Sequence, residues 1–282
     1  MTSWRTGGCR LGSHRVVRPS GALPQAADVL DVSLPAWDNE LVIAVERLNI
    51  DAASFEQLLS IGEDVALQVA AIVAARGKMQ NPVTGSGGML LGRVVAIGPC
   101  YDGPIHGAAV GARLATLASL TLTPLALERI DAVQPQNHQL EVVATAILPP
   151  SAPVSLLPDD LADVLCLAVL DVCGAPAHTA RLVERLPDGA SVVIIGTGKA
   201  GLLSLAAARA TRPDLRLYAL DRYEAAIDDA IRAGLADEGA AVDATDALAV
   251  RRVVERWTDG HFADLVLHMA SLPATEMAAI VA

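Results

Sequence analysis

A glycine-rich stretch in the second half of the chain limits the possible folds more than any other feature. Residues 191–201 read SVVIIGTGKAG, an apolar run interrupted by Gly196, Gly198 and Gly201 and followed by the small-residue segment LLSLAAARA. This pattern predicts a strand, a tight turn and the start of a helix. Gly196 is expected to allow the turn, Gly198 to leave the backbone bare for a pyrophosphate, and Gly201 to let helix and strand pack closely.

A carboxylate follows at the spacing that a dinucleotide site needs. The next apolar run, LRLYAL, is followed by Asp221, which lies 20 residues beyond Gly201. A carboxylate at that position accepts hydrogen bonds from ribose hydroxyls. The alternative is a glycine turn in another kind of βαβ unit, with Asp221 ending a strand. The predicted cofactor-binding residues are Gly196, Thr197, Gly198, Lys199, Ala200, Gly201, Asp221, Arg222 and Asp243.

The same residues bear on the choice of cofactor. Asp221 would repel a 2′-phosphate and so favours NAD, whereas Arg222 would attract that phosphate and leaves NADP possible. Asp243 is expected either near the adenine or at the start of the next helix. We therefore predict NAD, with NADP as the alternative.

The predicted elements define an α/β protein of two domains. The first half contains β-branched stretches at 41–50, 89–98 and 111–122, which predict a β-rich domain. From about residue 158 helices alternate with four clear strands, which predicts a doubly wound parallel sheet. We place a β-rich domain at 1–158 and a Rossmann domain at 159–282. Because such a sheet usually has six strands, its C-terminal part is expected to be incomplete.

Composition excludes several classes of function. The 282-residue chain is 52% hydrophobic and carries a net charge of −11, so neither disorder nor binding to nucleic acid is expected. Its four cysteines have no CxxC spacing, and we expect reduced thiols. We find neither the apolar core of a signal peptide nor a membrane-spanning run. These features predict a cytoplasmic protein without a membrane partner.

Five segments carry a more specific resemblance. A β-rich domain followed by a dinucleotide-binding domain is the layout of the medium-chain dehydrogenases, whose first domain is GroES-like. The segments closely resemble the L-erythro-3,5-diaminohexanoate dehydrogenases of lysine fermentation. They are GCRLGSHRVVRPSGALPQ (8–25), LNIDAASF (48–55), RGKMQNPVTGSGGMLLG (76–92), LATLASLTLTPL (114–125) and LDVCGAPA (170–177).

The resemblance implies a reaction. These enzymes oxidise the C3 amine of a diamino acid with hydride transfer to a nicotinamide cofactor, and hydrolysis then gives 5-amino-3-oxohexanoate and ammonium. Family members continue beyond SLPATEMAAIVA, so the chain is expected to be a shortened form. An inactive or non-catalytic dinucleotide-binding remnant and a zinc-free quinone-reductase-like oxidoreductase remain alternatives. A homo-oligomer is expected.

Alignment with zinc-dependent relatives predicts no zinc. Their His-Glu pair falls on Gly88 and Met89, and LNIDAASF has no cysteine where the first ligand would be. The four-cysteine structural lobe is missing as well. With two of three ligand positions empty, we expect no catalytic metal. Of the six histidines no two have metal-ligand spacing; they are His14, His106, His138, His178, His261 and His268.

Without a Lewis acid, amine oxidation needs a positioned proton acceptor. Asp51 and Asp171 are the candidates. Asp171 aligns with the third zinc-ligand position of relatives, and Asp51 lies in the loop that in relatives contacts substrate and cofactor. The structural alternatives are that Asp171 caps a helix and that Asp51 holds a turn.

The loop RGKMQNPVTGSGGM is the predicted substrate-binding segment. It places many donors on a glycine-flexed backbone, where a cation would hold the substrate carboxylate. The alternative is a solvated polar loop. In ASLTLTPL, Ser119, Thr121 and Thr123 alternate and are expected to share one strand face. The candidate substrate-binding residues are Arg76, Lys78, Asn81, Thr84 and Ser86.

Overall fold

The computed structural model describes residues 3–104, 109–270 and 272–282, so His106 lies outside the described residues. The chain divides into two compact units, Met1–Asp171 and Val172–Ala282. The domain boundary expected near residue 158 stays a prediction. In this structure residues 159–171 group with the first unit.

A six-stranded antiparallel sheet forms the centre of the first unit, and a separate two-stranded sheet pairs β1 with β2. The larger sheet has the order β6-β7-β3-β4-β5-β8. The strands are β1 (Val16–Arg18), β2 (Val29–Leu30), β3 (Leu41–Ile50), β4 (Gly88–Ile97), β5 (Arg113–Thr116), β6 (Leu125–Gln134), β7 (Gln139–Leu148) and β8 (Val154–Leu156).

Strand β3 lies inside this sheet, where it pairs with β4 on one side and β7 on the other. Its sequence LVIAVERLNI is almost wholly buried, which suits a strand flanked on both sides. The strands predicted at 41–50 and 89–98 are therefore confirmed, the second with its bounds shifted by one residue.

Three helices accompany the sheet: α1 (Ala52–Ser60), α2 (Val65–Arg76) and α3 (Asp163–Leu170). The side chain of Asp64 caps α2 by accepting the N–H of Ala66, and Gly77 ends the helix in the left-handed conformation, which glycine adopts at little cost. The helix buries Val65 and Val69 in the main core of the unit.

The prediction of one strand over 111–122 is wrong in its second half. Strand β5 stops at Thr116, and Leu120–Leu122 form a short 3-10 turn. The hydroxyl of Ser119 accepts the N–H of Thr121 and starts this turn, because serine competes with sheet pairing by bonding to the nearby backbone. Ser119, Thr121 and Thr123 therefore share no strand face.

The second unit is a four-stranded parallel sheet with helices on both faces. Its strand order is β11-β10-β9-β12, so β9 is central and the predicted α/β class is confirmed. The elements are α4 (Gly174–Val183), β9 (Ser191–Ile195), α5 (Lys199–Thr211), β10 (Arg216–Asp221), α6 (Glu224–Arg232), β11 (Glu238–Ala241), α7 (Ala247–Trp257), β12 (Leu265–His268) and α8 (Glu276–Val281).

Alternate residues of β9 support the two faces of this sheet. Val192 and Ile194 pack into a core with Leu205 of α5. Val193 and Ile195 point to the other face, where they join Val250 of α7 in a second core. Burial on both faces explains why the strand reads as an uninterrupted apolar run.

Within the three described ranges, no single helix has the length and apolar character needed to cross a bilayer. Two bent pairs, α1 with α2 and α3 with α4, satisfy length and composition only when their members are counted together.

Candidate dinucleotide site

A cavity of about 330 Å³ opens at the carboxyl ends of the parallel strands in the second unit. In open α/β sheets this is the edge where ligands bind. The predicted residues Gly196, Thr197, Gly198, Asp221, Arg222 and Asp243 all lie on its wall. The other lining residues are Ile195, Leu220, Tyr223, Ala226, Val242, Ala244, Met269, Ala270, Leu272 and Thr275.

The three glycines meet different local requirements. Gly196 has φ +97°, and a Cβ there would lie 2.8 Å from the amide nitrogen of Ala270. A Cβ on Gly201 would overlap the carbonyl oxygen of Gly196, whereas one on Gly198 would enter open space. Bare backbone at Gly198 therefore faces room for a ligand, and Gly201 lets α5 approach the turn closely.

The predicted residues Lys199, Ala200 and Gly201 belong to the first turn of α5 and are not among the described residues that line the cavity. The helix begins at Lys199, directly after Gly198, and Ala200 follows in its first turn. The N-cap residue Gly198 has no side chain, and N–H groups at the start of a helix are suited to an anion such as a pyrophosphate. A dinucleotide therefore fits these residues: phosphates at the helix start and a ribose beside Asp221.

Asp221 is held in place by three donors. Its Oδ2 accepts the backbone N–H of Thr197 at 2.8 Å and the Thr197 hydroxyl at 3.1 Å, and its Oδ1 accepts the N–H of Tyr223 at 3.0 Å. Burial raises the pKa of this carboxyl, but these hydrogen bonds outweigh it and leave the pKa below its ordinary value. Asp221 is thus an oriented anion on the cavity wall.

Two further charged side chains, those of Arg222 and Asp243, lie on the cavity wall. The guanidinium of Arg222 lies over the ring of Tyr223, 4.6 Å from its centroid. The Oδ1 of Asp243 accepts the N–H and hydroxyl of Thr245; these bonds, together with the charge of Arg222, lower the pKa of the Asp243 carboxyl. The sequence analysis missed Tyr223 as a lining residue, although its position two residues after Asp221 was a usable signal.

The candidate proton acceptors lie at helix ends, as their structural alternatives suggested. Asp51 precedes α1, and its Oδ2 accepts the N–H of Gly87 at 3.0 Å while its own N–H donates to the Gly87 carbonyl at 3.1 Å. Asp171 is the half-buried C-cap of α3. Asp51 therefore joins the start of α1 to the end of the candidate substrate loop, and the catalytic role of each carboxylate stays a prediction.

The candidate substrate loop is organised around Ser54, which the sequence analysis did not single out. The buried Ser54 hydroxyl lies 2.5 Å from the hydroxyls of both Thr84 and Ser86. The amide of Asn81 donates to Gln57 Oε1 at 2.7 Å, and its oxygen caps the following turn. The loop is thus tied to α1 by side-chain hydrogen bonds, which is an ordered arrangement and not a freely solvated one.

Lys78 and Arg76 bind backbone carbonyls. Lys78 is fully buried, and its Nζ donates to the carbonyls of Pro24 at 2.8 Å and Gln25 at 3.2 Å. Burial, with the neighbouring charge of Arg76, lowers the pKa of this ammonium to about 8. Arg76 donates to the carbonyls of Asp28 and Gln80. Both cations therefore connect the loop to the backbone of residues 24–28.

Several histidines have protein partners. His14 accepts the Cys9 N–H and lies 2.7 Å from Glu40, and His268 lies 2.8 Å from the hydroxyl of Thr275. Among residues 3–104, 109–270 and 272–282, no three His, Cys, Asp or Glu side chains converge as a metal-binding group. The absence of zinc stays a prediction from the ligand count.

Known proteins match both the sequence and the fold. The family profile of the L-erythro-3,5-diaminohexanoate dehydrogenase N-terminal domain matches residues 14–158. The L-erythro-3,5-diaminohexanoate dehydrogenase of Acetoanaerobium sticklandii is 38% identical over 279 residues, covering 97% of this chain and 80% of the relative. That of Fusobacterium nucleatum is 39% identical over 281 residues, with the same coverage.

Among solved structures, zinc-dependent alcohol dehydrogenase 2 from Streptococcus pneumonia in its apo form superposes with a TM-score of 0.55 at 16% identity. The match covers 90% of this chain and 68% of that one. The antiparallel sheet unit and the parallel sheet unit have the GroES-like and Rossmann folds that solved dehydrogenase structures such as this one share. Both curated relatives are dehydrogenases at 38–39% identity, so the chain is an oxidoreductase by class. Its profile match and its identity to two curated relatives show that it belongs to the L-erythro-3,5-diaminohexanoate dehydrogenase family.

Proposed function

We propose that the protein is an NAD-dependent L-erythro-3,5-diaminohexanoate dehydrogenase. In this reaction 3,5-diaminohexanoate, with its C3 amine protonated, would react with water and NAD to give (S)-5-amino-3-oxohexanoate, ammonium, NADH and one proton. The observation that carries the proposal is the hydrogen-bonded Asp221 carboxylate on the cavity wall. It is joined by the sequence identity of 38% with the Acetoanaerobium sticklandii enzyme over 97% of this chain.

The residues of the second unit would hold the cofactor. Asp221 would accept a hydrogen bond from the adenosine ribose, and the N–H groups of Lys199 and Ala200 would face the pyrophosphate. The room above Gly198 supports this placement. When bound, the cofactor supplies the hydride acceptor. Asp221 favours NAD because a fixed negative charge repels a 2′-phosphate.

The first unit would supply acid–base chemistry. The substrate ammonium must lose a proton before hydride can leave carbon, and a water must later be activated to attack the imine. We assign these proton transfers to Asp51 or Asp171. Arg76, Asn81, Thr84 and Ser86 are proposed to bind the substrate, and the buried Lys78 is proposed to support that loop from beneath.

The test is nicotinamide reduction at 340 nm with 3,5-diaminohexanoate and NAD or NADP in parallel. Asp51→Asn retains a carbonyl oxygen for the Gly87 N–H but cannot take a proton, so its fold should persist while turnover falls by about 10²-fold or more. Asp171→Asn is assayed beside it, and Asp131→Asn, an exposed residue of β6, is the control.

The outcomes distinguish the alternatives. Loss of turnover in one carboxamide variant, with unfolding and NADH affinity unchanged, supports the proposal and names the proton acceptor. If the wild type binds NADH but reduces no NAD, the chain is a dinucleotide-binding protein without this activity. Oxidation of NADPH by a quinone, with no amine turnover, would establish the quinone-reductase-like alternative.

Two further expectations are carried as proposals. We propose a cytoplasmic location, supported by the free state of Cys9, Cys100, Cys166 and Cys173, since thiols stay reduced there. Self-association is also proposed, and light scattering of the purified protein tests it: a mass equal to one chain would contradict it.

A further inference from the structure

We infer that Thr197 is a specificity-determining residue that sets the preference for NAD over NADP by fixing the Asp221 carboxylate. The inference rests on the proposed dinucleotide site and goes beyond it, because it assigns to Thr197 an effect on specificity that acts through the Asp221 carboxylate. Thr197 is therefore a positioning residue, and its effect should appear in the ratio of two affinities.

The geometry gives Thr197 two contacts to one oxygen atom. Its side chain is only 1% exposed, so the hydroxyl has little access to water as an alternative partner. Both its N–H and its hydroxyl donate to Oδ2 of Asp221, at 2.8 and 3.1 Å. Since a carboxylate oxygen has two lone-pair sites, these two donors occupy Oδ2 fully.

The other oxygen is left for the ligand. Oδ1 of Asp221 accepts the N–H of Tyr223 at 3.0 Å and is the carboxylate oxygen that Thr197 does not bind. A ribose hydroxyl in the cavity would donate to this Oδ1. Rotation of the carboxylate would break both bonds from Thr197, so the acceptor direction is set before the ligand arrives.

A fixed anion also excludes a 2′-phosphate, which carries close to two negative charges. A carboxylate free to rotate would relieve that repulsion, whereas this one is held. Arg222, a cation on the cavity wall, lies over the ring of Tyr223, and its charge acts on Asp243.

A purely structural role for Thr197 makes a different prediction. Thr197 joins the turn after β9 to the end of β10, so its loss would weaken both nucleotides equally if it served only to hold the turn. A specificity role requires unequal effects, which depend on the presence of the Asp221 carboxylate.

The experiment measures binding to the full chain by isothermal titration calorimetry. The ligands are adenosine 5′-monophosphate and adenosine 2′,5′-bisphosphate, which differ only in the 2′-phosphate. Thr197→Val keeps the shape and the N–H but removes the hydroxyl, and Thr197→Ser keeps the hydroxyl as the matched control. Thermal unfolding of each variant establishes that the turn is intact.

We expect the wild type and Thr197→Ser to favour the monophosphate. In Thr197→Val the ratio of the affinity for the monophosphate to that for the bisphosphate should fall by about tenfold. This factor corresponds to the free energy of one hydrogen bond to a charged group. In an Asp221→Asn background the same substitution should leave the ratio unchanged, because there is no carboxylate charge left to position.

Each contrary result has a distinct meaning. If the ratio of the two affinities is the same in the wild type and in Thr197→Val, or if the substitution lowers both affinities equally, the inference is overturned while the proposed dinucleotide site stands. If the wild type binds neither nucleotide, the proposed function fails and the inference with it.

Discussion

Two glycines of the same turn should respond in opposite ways to one added methyl group. A Cβ on Gly201 would overlap the carbonyl oxygen of Gly196 and would lie 3.4 Å from Cγ2 of Ile194. Both atoms belong to the core side of the turn, so α5 must shift away from β9 in Gly201→Ala. In Gly198→Ala the methyl group enters open space at φ −68°, which alanine adopts without strain.

The expected free energies of unfolding differ accordingly. Overpacking costs roughly 1–3 kcal/mol, and the better helix propensity of alanine returns about 0.5–1 kcal/mol. Gly201→Ala should therefore lose about 1–2 kcal/mol, or several degrees in melting temperature. Gly198→Ala should change by about 0.5 kcal/mol or less, because the reduced entropy of its unfolded chain offsets a poorer N-cap.

Nucleotide binding should show the reverse order. The methyl group of Gly198→Ala occupies the space in which a pyrophosphate would approach the backbone, so we expect the affinity for NADH to fall at least tenfold. Adenosine has no phosphate and serves as the control ligand; its affinity should stay within about twofold. Thermal unfolding by circular dichroism and calorimetric titration give the two quantities for each variant.

Either of two results would refute this reasoning. One is a Gly201→Ala protein with wild-type stability, which would mean that helix and turn are not in tight contact. The other is a Gly198→Ala protein that binds NADH as the wild type does, which would remove the pyrophosphate from this turn.

Three further predictions concern the first unit. The first compares the free energy of unfolding of the wild type with that of Lys78→Met in urea titrations, and this difference should rise by up to about 2 kcal/mol from pH 7.5 to pH 9.5. The reason is that the pKa of Lys78 is about 8 in the folded protein and about 10.4 in the unfolded chain, so the folded protein loses its proton first. A difference that does not change with pH would contradict the buried state of Lys78. Glu40→Gln should cost about 3–5 kcal/mol in the same titration, because Arg15, which is 1% exposed, would lose the carboxylate that binds it at 2.6 Å and keep only the more distant carboxylate of Asp31. Glu46→Gln, which removes the charge from a partly exposed ion pair, should cost about 0.5 kcal/mol or less. Equal costs would refute this prediction. Ser54→Ala should lower the free energy of unfolding by about 1 kcal/mol. It should also raise KM more than it lowers kcat, because it loosens the candidate substrate loop. Steady-state kinetics that show an effect on kcat alone would argue against that role.

The sequence predicted the elements whose signal is local. Ser191–Ile195 is an apolar run bounded by a glycine turn, and both the strand and the cavity beyond it are where the pattern placed them. The alternation of the second half likewise predicted the four parallel strands. Such features depend on neighbours within about twenty residues, which a single sequence displays directly.

The features that were missed depend on distant partners. The sequence predicts Lys78 as a candidate substrate-binding cation and gives no sign of its backbone partners, because the carbonyls that bind it belong to Pro24 and Gln25, more than fifty residues earlier. Ser54 is unremarkable in LNIDAASF and becomes a hub only because residues 84 and 86 fold back onto α1. Ser119 shows the converse, since its local hydrogen bond overrides the β propensity of the threonines that follow.

Oxidation of an amine with NAD by this family member is tested most directly by following NADH and free ammonium together during incubation with 3,5-diaminohexanoate. We expect NADH and ammonium in a one-to-one ratio, with little NADPH formed when NADP replaces NAD. Binding of NADH without formation of either product, or NADH formed without ammonium, would contradict it.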